Sequence, residues 1–418
     1  MKKSFKLYRS SLLLIGAIII GGIIGICFPA QTHYLKPVGD VFVNFMFMAI
    51  VPFVFLSISS AIASMNGTKR LGKIMGSTML IFVFTAIISA ILGYIAIRLF
   101  PLVQHANLDS IKALMGNGAA TDEMALSDRL VGIFTVNDFS LLLSKEHMLP
   151  LIFFSVLIGL ATSSLGEKGQ PFAAFLKSGS EVLMKLVQFI MYLAPIGLGC
   201  YFAAIIGDLG SQIIGSYVRV IVLYVVLAIV YFIAMNTVYA LLAGGKDGFR
   251  LFWSNITKPA ITAIATCSSA ASIPVNLKAT KDMRVPHDIA DTVIPLGANT
   301  HKDGSVIGGV FKIAFLYGVF NRDIAGFDNM LIIICCAFLV GAVMGAIPGG
   351  GMIAEVLIVT ILGFPLEAVP LVLVISTIID MPATLLNSSG NTVSAMMVTR
   401  LVEGKNYFKN KLKTTANR

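Results

Sequence analysis

Apolar residues in the first part of the chain fall into long runs that short polar segments separate. A helix needs roughly 20 mainly apolar residues to cross the hydrocarbon core of a bilayer. The pattern therefore predicts six membrane-spanning helices, with an external loop over the polar segment 100–128. The six runs lie at about 11–29, 38–64, 74–99, 129–163, 172–207 and 212–243.

Beyond residue 244 the apolar runs become shorter, because small polar residues interrupt them. The run "ITAIATCSSAASIPV" is broken at 267–274, and the run "GAVMGAIPGGGMI" is broken at 345–351. A helix of roughly 10–14 apolar residues is too short to span a membrane, and a re-entrant segment is one interpretation of such a run. Each pair of half-length helices therefore predicts a hairpin that enters and leaves on the same side.

The order of elements in this second part repeats. A hairpin near 251–276 precedes a span near 287–318, and a hairpin near 330–364 precedes a span near 366–403. Basic clusters flank the first hairpin and indicate entry from the cytoplasm, whereas the second hairpin lacks them and should enter from outside. Inverted repeats with broken helices are typical of secondary transporters, whose sites lie near the midplane.

The composition excludes a water-soluble fold. The chain is 57% hydrophobic and 12% charged, with a mean hydropathy of +0.88, whereas about 25% of a soluble domain is charged. A cleaved signal peptide is a rival interpretation of the basic start and the run 11–29, but that run is long for a signal peptide and further spans follow. We therefore expect an all-α polytopic membrane protein with eight transmembrane helices and two re-entrant hairpins.

The net charge of +10 would suggest a nucleic-acid partner in a soluble protein, but here basic residues in short loops orient the spans. Placing them in the cytoplasm puts both termini inside, and the short loops and lysine-rich tail favour a bacterial inner membrane. The five cysteines lack metal-ligand spacing, and neither a cofactor nor a metal site is expected. The basic residues are Lys69, Arg70, Lys73, Lys246, Arg250, Lys278, Lys281, Arg284, Lys405, Lys409, Lys411 and Lys413.

The two hairpin tips differ in composition. The first carries Ser268 and Ser269, whose backbone amides at the end of a half-helix could hold a carboxylate. A small-residue helix-packing patch is the alternative. The second carries Gly349 and Gly350 in a run of three glycines, which permits unusual backbone angles and hinge motion; an ordinary surface turn is the alternative.

The last span contains a single acidic residue, Asp380, within a long apolar run. An intramembrane carboxylate is a candidate functional group by default. Thr384 and Asn387 follow at spacings that place them on the same helix face. This face suits an α-amino acid, whose ammonium group would bind Asp380 and whose carboxylate would bind Asn387 and the serine tip.

The segment "GANTHKDGSV" places His301, Lys302 and Asp303 side by side between apolar stretches, with Ser305 just beyond. Ionisable residues at membrane depth are costly and mark functional sites. An enzyme could be imagined from His301, Asp303 and Ser305, or an intramembrane protease from Asp303 and Asp380. The sequence lacks a nucleophile elbow and metal-ligand spacing, which disfavours the enzyme, and the inverted hairpins argue against the protease. A channel is disfavoured because no ring of pore-lining charge is visible.

Four segments together resemble the dicarboxylate/amino acid:cation symporters, the glutamate-transporter family. The "SSAASIP" tip resembles its serine-rich first hairpin, and "GANTHKDGSV" resembles its unwound segment "GATINMDGTA". The segment "GAIPGGG" resembles its second hairpin, and "DMPATLLNSSGN" resembles its final-span pattern D-x-x-R-T-x-x-N-x-x-G-D. The resemblance covers nearly the whole chain.

This resemblance implies a homotrimer in which a transport domain moves like an elevator against a fixed scaffold. The implied divisions are scaffold helices one and two at 1–73, the third helix of the transport domain at 74–100, scaffold helices four and five at 129–211, the rest of the transport domain at 212–404, and a basic cytoplasmic tail at 405–418.

The chain departs from the family at positions that the resemblance assigns to ligands. Ala383 replaces the arginine that binds the side-chain carboxylate of glutamate or aspartate, and Asn391 replaces a sodium-binding aspartate. Phe82 and Ala86 replace hydroxyl residues among the sodium ligands, whereas Thr85 is kept. We therefore expect a small neutral amino acid such as serine, threonine or alanine, coupled through protons or an altered cation set. The alternative is a sodium- or proton-coupled dicarboxylate, glutamate or aspartate symporter.

Within the unwound segment, His301 and Lys302 replace an asparagine and a methionine, while Asp303 is kept. One interpretation makes Lys302 a built-in substitute for a sodium ion that neutralises Asp303. Lys302 could instead pair locally, or it could bind substrate in place of the missing arginine.

Two further charged residues belong to this part of the chain. Glu355, in the second hairpin, and Lys312 could pair with each other or with Lys302. Glu355 or His301 could carry a coupling proton, and a static ion pair or hydrogen bond is the alternative for each.

Overall fold

A computed structural model of the chain describes residues 2–63, 69–103, 131, 134–144, 147–210, 212–343 and 350–416. Every regular element in these ranges is helical, as the composition predicts. Most of the polar segment 100–128, which we expected to form an external loop, lies outside the described residues.

The helices are numbered in chain order. The first seven are α1 Lys2–Cys27, α2 Lys36–Ala63, α3 Lys69–Leu99, α4 Phe139–Leu142, α5 Met148–Ser164, α6 Gln170–Met191 and α7 Ala194–Leu209. The remaining nine are α8 Gln212–Asn255, α9 Thr257–Thr266, α10 Ser269–Asp282, α11 His287–Thr300, α12 Asp303–Val319, α13 Phe327–Val343, α14 Gly350–Ile361, α15 Val369–Glu403 and α16 Tyr407–Ala416.

Four described helices are long and apolar enough to cross a membrane, and a fifth is added if the bent pair α6 and α7 counts as one span. The four segments are Lys36–Ala63, Gly72–Leu99, Ile213–Asn255 and Leu366–Glu403. The expected number of eight spans stays a prediction. One side of α8 presents apolar residues outward, as a helix in contact with lipid should; its exposed members include Val218, Val222, Val225, Val226, Ile229, Val230 and Ile233.

Two of the expected spans differ from the structure. The run 129–163 does not form one helix, because Asp138 has an extended backbone and caps the short helix α4, and α5 begins only at Met148. The run 172–207 forms two helices that meet at an angle of 58°. Pro195 lies in the first turn of the second helix, where the missing N–H of a proline costs no hydrogen bond. In the middle of one continuous helix the same proline would remove a hydrogen bond and break the helix.

The first re-entrant hairpin begins inside α8. Gly244 and Gly245 leave helical geometry, and Gly245 has a φ of 62°, a conformation that glycine adopts without steric cost. The chain then turns at Cys267, whose φ is 46°, between α9 and α10. The second hairpin consists of α13 and α14. Its tip, with Gly349, lies outside the described residues, and Gly350 is the first residue of α14.

The helices pack in two groups. In the first, α1 packs on α7, and α2 packs against α5, α6 and α7. In the second, α15 is the central helix and contacts α3, α8, both helices of the first hairpin, α11, α12 and α14. Nearly every residue of α15 from Val369 to Thr399 is buried apart from a stretch around Asp380. The candidate site residues therefore lie on or beside the central helix of the second group. The division into scaffold and transport domain stays a prediction.

Candidate substrate and cation site

The chain is unwound for two residues at the centre of the second group. Helix α11 ends at Thr300 and α12 begins at Asp303, and His301 between them has an extended backbone with φ −113° and ψ 113°. Gly304 then passes so close to α15 that a Cβ atom on it would lie 2.4 Å from the carbonyl oxygen of Ala383. This close approach brings the ionisable segment against the central helix.

Asn387 fixes the first turn of α12. Its Oδ1 accepts hydrogen bonds from the backbone N–H groups of Gly304, at 2.9 Å, and Ser305, at 3.3 Å. Its Nδ2 donates to Ser305 Oγ at 3.1 Å. The first N–H groups of a helix have no partner within the helix, and Asn387 supplies one. The amide that we expected to bind substrate thus also holds the unwound segment in place.

Two tyrosines of α8 donate hydrogen bonds to the first residues of α12. Tyr224 donates to the carbonyl oxygen of Gly304 at 2.7 Å, and Tyr231 donates to Asp303 Oδ2 at 2.9 Å. Neither tyrosine was among the residues predicted from the sequence. Their spacing of seven, continued by Tyr217, places all three on one face of the helix, and that recurrence within an apolar span could have identified them.

Asp303 is completely buried, and the ionisable side chain beside it is not the one we expected. The Nε2 atom of His301 lies 3.1 Å from Asp303 Oδ1. Lys302 points elsewhere, so the prediction that Lys302 neutralises Asp303 is wrong. The physical reason is the unwound backbone: with His301 extended and Lys302 at φ −141° and ψ 59°, neighbouring side chains leave the chain in different directions.

Lys302 lies against the first hairpin tip. Its ammonium group donates to Ser269 Oγ at 3.2 Å, and Asp380 is the carboxylate that attracts it. Lys302 and Asp380 attract each other, but no direct ion pair joins them among the described residues. The side chain of Lys302 is 6% exposed, whereas Asp380 is exposed. The carboxylate is therefore open to a ligand that Lys302 could also touch.

The first hairpin tip turns a helix N-terminus toward this pair. The side chain of Ser268 caps α10 by accepting a hydrogen bond from the backbone of Ala271 at 3.2 Å. Ser269, the first residue of α10, is buried and carries the hydroxyl that Lys302 contacts. The positive end of a helix favours anions.

Asp380 and Thr384 lie on one face of α15, as their spacing predicts. Thr384 donates to Asp380 Oδ1 at 3.4 Å, a long bond that holds the carboxylate loosely. Ala383 is buried against the start of α12. Its methyl group offers no charge where the resemblance implies an arginine.

His301 is enclosed by polar atoms from two other helices. Its Nε2 lies 2.7 Å from Thr85 Oγ1 of α3, and its Nδ1 lies 2.8 Å from Asn391 Oδ1 of α15. The ring of Phe82 stacks on the imidazole with centroids 4.3 Å apart. The structure thus brings together five of the predicted ion-coupling residues, namely Thr85, His301, Asp303, Ser305 and Asn391.

Glu355 and Lys312 pair with each other, which was one of the two arrangements we expected. Lys312 Nζ lies 2.7 Å from Glu355 Oε1 and donates to Ser376 Oγ at 2.9 Å, and Ser376 also donates to Glu355. The pair joins α12, α14 and α15 and is separate from Lys302. Ser376 was not predicted, because a lone serine in an apolar span has no distinctive pattern.

Comparison with known proteins places this arrangement in a family. The model of the sodium:dicarboxylate symporter family matches residues 11–401. The chain belongs to that family. It is therefore a cation-coupled symporter of the all-helical elevator type and an integral membrane protein, in agreement with the expectation that it is not an enzyme.

Individual relatives are distant but match over almost their whole length. A proton/sodium-glutamate symport protein of Geobacillus stearothermophilus is 26% identical over 92% of this chain and 92% of its own. A C4-dicarboxylate transport protein of Bacillus subtilis (strain 168) is 26% identical over 94% of both chains. Relatives at the same identity thus carry names for different substrates, so the substrate must be argued from the residues of the site.

Proposed function

We propose that this protein takes up a small neutral α-amino acid, such as serine, threonine or alanine, by symport. The observation that supports this substrate class is the position of Lys302, whose ammonium group lies 3.2 Å from the hydroxyl of the hairpin-tip residue Ser269 and near the open carboxylate of Asp380. The site thus offers one cation and one anion that are close but not in contact.

This charge pattern complements a zwitterion. The α-carboxylate would bind Lys302 and the N-terminal end of α10, where the helix dipole also favours an anion. The α-ammonium group would bind the carboxylate of Asp380, to which Thr384 donates a hydrogen bond. Each end of the substrate meets an opposite charge, so the occupied site keeps a balanced charge.

A second carboxylate would lack a partner. Ala383 supplies no cation, and Lys312 is already engaged by Glu355 at 2.7 Å. Burying an unpaired carboxylate is costly, so glutamate, aspartate and C4-dicarboxylates should bind less well than neutral amino acids. The names of the relatives favour the other candidate, an acidic substrate, and in that case Lys302 would bind one of its carboxylates.

The remaining features of the proposal concern coupling and assembly. We propose coupling through protons or an altered cation set, with Glu355 and His301 as candidate groups. The proposed assembly is a homotrimer in a bacterial inner membrane with both termini in the cytoplasm, and the second helix group would carry the substrate across. The resemblance to the symporter family and the basic cytoplasmic clusters support these points.

Ligand-induced thermal stabilisation of the purified protein tests the substrate class. Serine, threonine or alanine should raise the unfolding midpoint more than glutamate, aspartate, succinate or fumarate at equal concentration. Lys302→Gln should weaken serine binding at least about tenfold, because truncating one member of a buried charge pair typically costs about 2–5 kcal/mol.

A matched control is available on the same hairpin. Lys278, an exposed lysine of α10, changed to Gln should leave serine binding unaltered. Stronger stabilisation by glutamate or succinate than by serine would contradict the proposal and would favour the acidic-substrate alternative.

A further inference from the structure

Three buried oxygen atoms from three helices surround the side chain of His301. They are Thr85 Oγ1 of α3, Asp303 Oδ1 of α12 and Asn391 Oδ1 of α15, and we call them the oxygen cage. The residues that carry them are 0%, 0% and 1% exposed. A carboxylate with neutral oxygen ligands is the kind of environment that a hard cation prefers.

The imidazole of His301 fills this cage. Nε2 lies 2.7 Å from the Thr85 oxygen and 3.1 Å from the Asp303 oxygen, and Nδ1 lies 2.8 Å from the Asn391 oxygen. Every oxygen of the cage is therefore within hydrogen-bonding distance of a ring nitrogen. Asp303 Oδ1 accepts no hydrogen bond within the described residues, although the Nε2 atom of the ring lies 3.1 Å from it.

The surroundings are shaped for the ring. Phe82 stacks on one face of it with an interplanar angle of 17°. A Cβ atom at Gly390 would lie 3.1 Å from Cε1 of the ring, and a Cβ atom at Gly297 would lie 2.3 Å from Asn391 Oδ1. Side chains at either glycine would crowd the ring or its partner. The imidazole is thus a fitted component of the helix packing.

We propose that His301 determines the cation dependence of this symporter by standing in the place of a sodium ion within the oxygen cage. A sodium ion coordinated by these oxygens would have to occupy the space that the ring occupies. The ring is covalently attached, so α3, α12 and α15 stay linked whether or not sodium is present. This inference rests on the proposed altered cation coupling and is independent of the proposed substrate.

The structure separates this role from that of Lys302. The lysine ammonium points to the hairpin tip, whereas the histidine ring points to the cage. Removal of the ring should leave the Oδ1 atom of the buried Asp303 carboxylate facing two neutral oxygens, with Tyr231 still donating to Oδ2. A buried charge of that kind is stabilised by a bound counter-ion, so a sodium site should appear.

Sodium titration of thermal unfolding in the absence of any substrate tests the proposal, with choline replacing sodium at constant ionic strength. His301→Asn should gain a saturable rise in the unfolding midpoint of at least about 3 °C, as a ligand well above its dissociation constant gives. Adding Thr85→Val to His301→Asn should reduce that gain, because it removes one cage oxygen. Lys302→Met should gain no sodium response, since the ring still fills the cage.

Two results would overturn the proposal. One is a sodium response of His301→Asn that equals the response of the unaltered protein. The other is a saturable sodium response of the unaltered protein that Asp303→Asn abolishes. If His301→Asn does not fold, His301→Gln replaces it, and the comparison of the unaltered protein with Asp303→Asn still decides. Because no substrate is present, a failure here is distinct from a failure of the neutral amino acid proposal.

Discussion

At the residue scale, the site depends on one accessible carboxylate among buried partners. Asp380 is exposed, whereas Thr384 and Asn387 on the same face of α15 are 3% and 4% exposed. A carboxylate that is open while its supporting groups are packed can exchange ligands without rearrangement of the helix. Asp380 is therefore the group whose loss should affect substrate binding most directly.

Replacement of Asp380 by Asn tests this assignment. The amide keeps the shape of the side chain but removes the charge that pairs with the substrate ammonium group, a loss of about 2–5 kcal/mol for a buried pair. Calorimetry should show at least about tenfold weaker binding. The surface carboxylate Asp291, which pairs with Lys281, provides the control as Asp291→Asn. Unchanged affinity in Asp380→Asn would remove Asp380 from the site.

The sequence located the charged residues and offered the Lys312–Glu355 pair as one arrangement, but it did not predict the neighbour of Asp303. A run of His, Lys and Asp in apolar sequence is a visible anomaly, and the resemblance implied that it is unwound. The partner of each residue depends on the backbone angles of His301 and Lys302 and on residues far along the chain, such as Thr85 and Ser269. Those angles and long-range contacts leave no trace in the local pattern.

At the element scale, a buried ion pair fastens the second hairpin to the central helix. Lys312 and Glu355 are 2% and 0% exposed, and Ser376 joins both. A buried pair contributes little relative to apolar residues, but removing one member leaves an uncompensated charge. Its structural role should therefore appear as a difference in the free energy of unfolding between the single and the double substitutions.

Each of Lys312→Met and Glu355→Met should lower the free energy of unfolding by about 3–5 kcal/mol, because each leaves a charge buried alone. The double substitution should be more stable than either single one. Equilibrium unfolding of the three variants in detergent measures this. Additive losses in the double variant would show that the two groups do not act as a pair.

Two ion pairs made by Arg70 join α3, α11 and α15 at their polar ends. Arg70 contacts Asp288 at 2.6 Å and Glu403 at 2.8 Å. The hydrogen bond from Arg70 holds the pKa of Asp288 below its ordinary value of 3.8. A carboxyl group with a lowered pKa in the folded state stabilises the fold above its ordinary pKa, and the stabilisation is lost as the pH falls through the lowered value.

The unfolding midpoint of Asp288→Asn should therefore lie below that of the unaltered protein at neutral pH. The difference should stay constant down to about pH 5 and shrink below the ordinary pKa of 3.8. Asp328 is also an acidic residue in the first turn of a helix but lies outside the ion pairs of the described residues, so Asp328→Asn is the matched control. An Asp288→Asn difference that persists unchanged below that pH would contradict the assignment.

Element types were easier to predict than element boundaries. The half-length runs correctly indicated a break at the first hairpin tip, because small polar residues cannot continue an apolar span. The run 172–207 was expected to be one span, although Pro195 was visible within it. An apolar run indicates that a segment lies in the membrane, but it does not indicate whether the helix is straight. The bend of 58° is therefore visible only in the structure.

At the scale of the whole molecule, the two helix groups contact each other at several places. Helix α14 contacts α2 and α5, α1 contacts α9 and α15, and α7 contacts α8 and α15. The candidate substrate and cation sites both lie within the second group, around α15. A movement of that group as one body would carry both sites together without breaking the contacts among Thr85, His301 and Asp303.

Uptake of radiolabelled serine into liposomes that contain the purified protein distinguishes a neutral from an acidic substrate. An inward proton gradient is imposed in choline medium and in sodium medium, and unlabelled serine, alanine, glutamate or succinate competes. We expect uptake in both media, competition by serine and alanine but not by glutamate or succinate, and loss of uptake with Lys302→Gln. Stronger competition by glutamate or succinate than by unlabelled serine, or uptake of labelled succinate but not of serine, would contradict the proposed substrate class.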